Sequence, residues 1–446
     1  SGVLSFIAAP DFEAPTDDDG DNVYHVIARA SDGSLDATQA ITVTVTDVSN
    51  VLVVTTADDD NDSGIMVGAT YDAEWLNAHQ GADGAISLRE AIIAANNSSG
   101  TTLIQFAIPG TGSHTITLSA ALPAITNPVI LDGSTDDSFA ANGSRPAIVL
   151  DGGDALGNGL VLSAAASGST IRGLVIRNFD GAGILIDTGS NGNTITGNYV
   201  GALNTAGTDA GASLANNGSG ILVFGIGNTI GGLTVADRNV ISGNDQNGIH
   251  VTASGLSNLI VGNFVGTTAD GLAALGNHEN GLFIEGAEQQ IVGNLVSANQ
   301  YGIAILGEDA DGNVIHGNLV GTDITGTAAL GNLFDGIQVM GGADGTQIGD
   351  GTPTSRNLVS GNGQHGIVIG GTSTTGTWVV GNFIGTTVSG MQALGNGEYG
   401  IALYDGASAS LVYSNLISGN GKSGVQINGN GNPATVAYSH HALGLS

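Results

Sequence analysis

From about residue 102 onward, short aliphatic runs alternate with clusters of glycine, asparagine and aspartate; TLIQFAI, TITL, AIVL, GLVL and GLVIRNF open the series. Within each run apolar residues tend to fall at every second position, the period of a strand with one buried face. Two phrases then recur, NxIxGN and GIxI, the second as NGIHV, YGIAI, DGIQV, HGIVI, YGIAL and SGVQI. Alternation predicts that Ile249 and Val251, and again Ile367 and Ile369, point inward. The recurrence predicts a parallel β-helix, because one coil cannot bury its apolar face alone and stacked coils share a core. Glycine supplies the left-handed turns, and asparagines at equivalent places can bond to one another between coils.

A longer unit overlies this rhythm. IVGNFVGTTADGLAALGNHENGLFI at Ile260 returns as IHGNLVGTDITGTAALGNLFDGIQV at Ile315 and VVGNFIGTTVSGMQALGNGEYGIAL at Val379, with a degraded copy from Ile195. Its GTxxxGxxALGN portion predicts an extra loop on every second coil, stacked into a ridge along one side of the rod.

The chain ahead of the coils reads differently. In residues 1–50, acidic turns (PTDDDGDN, SDGSLDA) separate the alternating runs VYHVIARA and ITVTVT, which predict half-buried antiparallel strands. Residues 51–100 carry the carboxylate cluster ADDDNDSG and then SLREAIIAAN, a short amphipathic helix. Leu88, Ile92 and Ile93 share its apolar face, and Ser87 with Glu90 forms a capping box. The predicted job of that helix is to cover the exposed end of the first coil. Residues 101–446 are then the solenoid.

Two resemblances follow from these motifs. PDFE, SDG and TDVSN in residues 1–50 resemble the later half of a cadherin-like β-sandwich, and that resemblance implies Asp11, Glu13, Asp32 and Asp47 as calcium ligands. The chain departs from the family at its closing linker, where DVSN places Asn50 at a carboxylate position. SLREAIIAAN, IQFAIPGTG, VILDGST, STIRGLVIRNF and the GN(F/L/Y)(V/I)GT copies resemble the SLREA-type right-handed parallel β-helix proteins of bacterial surfaces and secretions. Ile86 stands where that family often has cysteine. The fold this implies is all-β: a right-handed parallel β-helix with an N-terminal capping helix, preceded by a partial cadherin-like sandwich. The function it implies is architectural, at an extracellular or cell-surface location.

Charge and composition sharpen the picture. Forty acidic residues against 8 basic ones give a net charge of −32, which excludes nucleic acid and anionic membranes as partners. Such a surface suits a divalent cation, calcium above all, and within ADDDNDSG the carboxylates of Asp58 and Asp60 are the candidate ligands beside Asp59 and Asp62. With 0 cysteines, disulfides and thiolate metal sites are impossible. No run is long and apolar enough to read as a membrane span. The chain opens in what reads as a strand, the expectation for a piece of a longer polypeptide.

Candidate chemistry is thin at this level. Arg238 and Arg356 recur in equivalent RN(V/L)(I/V)SGN phrases, and Arg172 and Arg177 flank one strand, so all four read as structural. Asp335, Glu398, Asp405 and Glu279 are scattered acids, most of them at repeat positions, and QHG at Gln364–Gly366 is an isolated motif. His250, His316 and His365 lack a metal-binding spacing. Trp75 and Trp378 are the only tryptophans, a poor platform for sugars. The expectation is therefore a non-enzymatic structural or adhesive protein. It would associate with itself or with neighbouring domains of a longer chain, in filaments or a surface layer braced by calcium. The alternative is a polysaccharide-active lyase, epimerase or glycosidase, or a module that binds surface glycans. An enzyme should show a groove lined by clustered carboxylates and a basic residue on one sheet face; a carbohydrate-binding module should show exposed aromatics there, and a structural protein neither.

Overall fold

The computed structural model describes residues 23–31, 36–44, 50–66, 71–153, 157–428 and 436–438. The chain divides into two compact units, Ser1–Asn50 and Val51–Ser446. In the first, the alternating runs form two strands, Val23–Ser31 and Asp36–Thr44, paired antiparallel with Val23 opposite Thr44.

The second unit is the expected right-handed parallel β-helix. Among the described residues its strands gather in three parallel sheets of 13, 11 and 10 members. The first runs from Asn50–Val54 to Val436–Tyr438, the second from His114–Thr117 to Leu416–Ile417, and the third from Leu160–Leu162 to Val425–Ile427. One coil visits each sheet in turn, so residues of like position stack in register: Ile230 pairs with Ile260 in the first sheet, and Ile367 with Ile401 in the third. Inward residues such as Ile249, Val251, Ile367 and Ile369 are 0 % exposed.

Between strands the chain must bend, and a bend strands backbone polar groups away from water. Asparagine solves this because one amide both donates and accepts. Asn263 donates through Nδ2 to Ile230 O at 2.8 Å and to Asn294 Oδ1 at 3.0 Å, while its own Oδ1 accepts from Asn239. The chain of amides continues through Asn318, Asn357 and Asn382 to Asn415. A parallel chain runs from Asn216 through Asn244, Asn277, Asn299, Asn332, Asn362 and Asn396 to Asn420.

The GTxxxGxxALGN inserts form the expected ridge. Each insert donates to the one before it: Ala269 N to Gly207 O, Ile324 N to Gly271 O and Val388 N to Gly326 O, at 2.8 to 3.0 Å. Gly271, at φ +70°, is required here, since a Cβ would lie 2.9 Å from both Ile324 Cβ and the Phe264 ring. Under the ridge, Tyr199, Leu203, Val240, Phe264 and Leu295 make a second apolar cluster on the outer face of the second sheet. The ridge thus covers the second sheet and leaves the third free of it.

The N-terminal end is closed as the sequence predicts. Helix Leu88–Asn97 buries Leu88, Ala91, Ile92 and Ala95, and its capping box is complete, with Ser87 accepting from Glu90 N and Glu90 accepting from Ser87 N. Arg89 clamps the arrangement, holding Asp59 at 2.8 Å and the carbonyls of Ala120 and Ala121. Among the described residues no helix is long and apolar enough to cross a membrane.

Candidate active site

Strands of the third sheet are entered through a glycine. At Gly366 a Cβ would meet Gly400 O at 2.5 Å and Asn396 Nδ2 at 2.9 Å, so no side chain is admitted. The residue before each glycine is thereby fixed at the edge of the outer face. Backbone bonds Gly336 N to His365 O and Gly366 N to Tyr399 O put Asp335, His365 and Tyr399 in one column. Bonds Glu398 N to Gln364 O and Lys422 N to Glu398 O put Gln364, Glu398 and Lys422 in the next. Tyr404 closes the group from the far end of its strand, aligned with Gly370 on the neighbouring one.

The side chains are interlocked. Asp335 is buried; its Oδ1 accepts from His365 N at 2.9 Å and its Oδ2 from Gln338 Nε2 at 2.8 Å. Tyr399 N donates to His365 Nδ1 at 3.3 Å, which assigns the proton of a neutral imidazole to Nε2. That Nε2 faces Glu398 Oε2 at 3.6 Å, and the same oxygen lies 3.0 Å from Lys422 Nζ. The His365 ring stacks on Tyr399 (centroids 5.4 Å, 16° between planes) and tilts against Tyr404 at 5.8 Å. Val368 and Ala402, outward-facing between the two sides of the group, are buried.

Electrostatics divides the roles. Burial pushes the Tyr404 phenol up, and the neighbouring Tyr399, Glu398 and Asp335 add to it against Lys422, so Tyr404 keeps its proton at neutral pH. The hydrogen bond to Glu398 raises the Lys422 ammonium, which stays charged. Glu398, about a third exposed, is the accessible carboxyl group of the cluster. The arrangement therefore offers a proton acceptor and a proton donor at one open surface.

Further aromatic and polar side chains continue along the same face. His250 Nε2 lies 2.8 Å from Glu285 Oε2 and its ring 4.7 Å from Phe283; Tyr301 and Phe334 are 5.0 Å apart. Trp378 lies on the first sheet and Trp75 in the cap, stacked on His79.

The other candidates from the sequence are placed as follows. Asp11, Glu13, Asp32 and Asp47 lie outside the described residues. Asp58 turns to the Thr56 hydroxyl at 3.2 Å. Asp60 instead joins Asp62 and Asp83, whose carboxylate oxygens all lie within 4.8 Å of one another. Burial and then the charges of Glu90, Asp83, Asp62 and Asp58 push the Asp60 carboxyl up. Three oxygens are a fraction of the six to eight, roughly, that calcium takes. Asp83 is absent from the sequence candidates, because a turn brings it across: Asp62 accepts from Ala82 N and Asp83 N. Arg172 and Arg177 are paired with Asp132 and Asp151, the structural role expected of them. His316 is on the first sheet, where burial pushes its imidazole down, and Asp405 is exposed with φ 53°.

No family model matches the chain, and no curated protein matches it. Solved structures of like fold include the Azotobacter vinelandii mannuronan C-5 epimerase AlgE6 A-module, at 13% identity and TM-score 0.49 over 80% of this chain and 94% of that one. Pectate lyase Pel9A follows at 13% and 0.37, over 84% and 80%. The catalytic domain of a GH87 α-1,3-glucanase in complex with nigerose follows at 15% and 0.39, over 79% and 67%. At these identities the likeness is one of fold.

The expectation of a non-enzymatic structural or adhesive protein that builds filaments is corrected at the outer face of the third sheet. There Asp335, Glu398 and Lys422 stand together, carboxylates and a basic residue on one sheet face, as the enzyme alternative expects. Asp335, His365 and Glu398 are not independent repeat positions; stacking brings them into one cluster.

Proposed function

We propose that the protein acts on polysaccharides, with the outer face of the third sheet as its substrate surface and Glu398 and Tyr404 as its proton-transfer pair. The observation that carries this reading is the convergence of Asp335, His365, Glu398, Lys422 and two tyrosines from adjoining coils.

Charge selects the substrate class. Removing a proton beside a uronate carboxylate needs cations to neutralise that carboxylate. Here Lys422 is already engaged by Glu398, and the chain carries −32 overall. A neutral glycan, cleaved by hydrolysis, fits better. Glu398 takes a proton from water, the water oxygen bonds to the anomeric carbon as the glycosidic C–O bond breaks, and the leaving oxygen takes the phenolic proton of Tyr404. Proton exchange with solvent then restores both groups. Asp335 and His365 are positioning residues, holding the column and the rings. Phe283, Tyr301 and Phe334 supply apolar faces on which sugar rings pack, and coils about 4.8 Å apart repeat on the scale of a sugar residue.

The helix Leu88–Asn97 over the first coil supports kinship with SLREA-type β-helix proteins, and hence work outside the cell on surface or matrix glycans. The test is incubation with neutral glucans, galactans and xylans and with polyuronates, reading new reducing ends and ultraviolet absorbance of unsaturated uronates. Reducing ends from a neutral polymer support the reading. Unsaturated products from a polyuronate replace hydrolysis with elimination, and no product from any polymer removes the catalytic reading.

A further inference from the structure

Arg238 and Arg356 occupy equivalent places in the repeated RNVISGN and RNLVSGN phrases, and each guanidinium lies 3.9 Å over a phenylalanine ring, Phe264 or Phe383. Their edges differ. Arg356 Nε donates to Gly381 O at 3.2 Å, whereas Arg238 Nε is buried without a partner. Arg89, Arg172 and Arg177 each pair with a carboxylate, and among the described residues Arg238 pairs with none. Arg238 is half-buried and, among the described residues, its Nη groups also have no hydrogen-bond partner; a guanidinium cannot shed its charge, so those groups, where they reach the cleft, favour an anion.

Arg238 lines a cleft of about 60 Å³ together with Arg145, Ser144, Tyr199, Phe139 and Val235. Arg145 is exposed at its rim, held by the carbonyls of Asn142 and Ala206, with no carboxylate of the described residues on it. Two of the chain's 8 basic residues thus meet at one small opening in a protein of net charge −32. Tyr199 sits between their fields: burial pushes its phenol up while Arg145 and Arg238 both pull it down. The cleft lies at the ridge, on the second sheet, and does not depend on the third-sheet reading.

We propose that this cleft binds a single small oxyanion group, taken at its floor by the guanidinium edge of Arg238 and at its rim by Arg145. The cleft has room for a carboxylate, sulfate or phosphate group, which is either free in solution or a substituent projecting from an acidic sugar. Guanidinium meets such groups with paired, charge-assisted hydrogen bonds.

The test is calorimetric titration of the intact protein with sodium glucuronate, sulfate and phosphate at fixed ionic strength, with glucose as the neutral control. The expected result is saturable one-to-one binding of at least one of these anions and none of glucose. Affinity should fall by about tenfold or more in Arg238→Gln and be retained in Arg356→Gln. Tighter glucuronate than sulfate or phosphate identifies an acidic sugar as the source; the reverse identifies a free inorganic anion. Should Arg238→Gln fail to fold, Arg145→Gln at the exposed rim carries the same expectation of weakened binding. The proposal is overturned if no anion saturates, or if both folded cleft variants bind as the wild type does.

Discussion

Glu398 Oε2 stands 3.0 Å from Lys422 Nζ, one coil further along the helix, and the two are the accessible charges of the third-sheet cluster. The ammonium fixes where the Glu398 carboxylate lies at the edge of the cluster. Substituting Lys422→Met frees that carboxylate to turn away, so kcat should fall by about tenfold with a smaller effect on KM. An unchanged kcat would assign Lys422 to the surface alone.

The amide chains set the stability of the rod. Asn294 is 1 % exposed, accepts from Asn263 N and Nδ2, and donates to Ile260 O and Asn318 Oδ1. Asn294→Ala leaves several buried groups unpaired and should cost about 3 kcal/mol or more in denaturant unfolding. Asn280→Ala, at a half-buried edge with its amide on Asn247, should cost under about 1 kcal/mol. Equal losses would show that the amides contribute as spacers and not as a bonded chain.

Two neighbouring aspartates should give opposite pH signatures. At Asp59 burial opposes the charge, but the bonds from Arg89 and Ser119 prevail and hold the carboxyl down. Its contribution to stability is present above the unfolded pKa and is lost as pH falls through the lower folded value. Asp60 is pushed up, so its charged form costs stability, and that cost appears as pH rises through the raised folded value. Asp60→Asn should raise the melting temperature at neutral pH and lose its advantage in acid; Asp59→Asn should lower it at neutral pH. Parallel curves for the three proteins from pH 3 to 8 would refute both assignments.

The fold was legible because its rules are local. Alternation places Ile249 and Val251 inside, the repeated GN marks the amide bends, and Ser87 with Glu90 announces the cap. The site was not legible for the opposite reason: Asp335, His365, Glu398 and Lys422 come from separate coils joined by loops of unequal length, so their spacing along the chain conceals their adjacency. The signal was nonetheless present. Aligning DGI, HGI, YGI and SGV on their glycines puts Asp335, His365 and Tyr399 in one column and Phe334, Gln364, Glu398 and Lys422 in the next. Arg238 and Arg356 show the limit of repeat logic, since equal positions in the phrase conceal a satisfied edge and an unsatisfied one.

The most direct test of the account is the steady-state kinetics of Glu398→Gln beside the wild type, on whichever neutral polysaccharide the wild type cleaves. The substitution keeps the shape and removes the proton acceptor, so kcat should fall by about 10²–10⁴-fold while KM stays within a few-fold. A Glu398→Gln protein that retains wild-type kcat would contradict the assignment of this face as the catalytic surface.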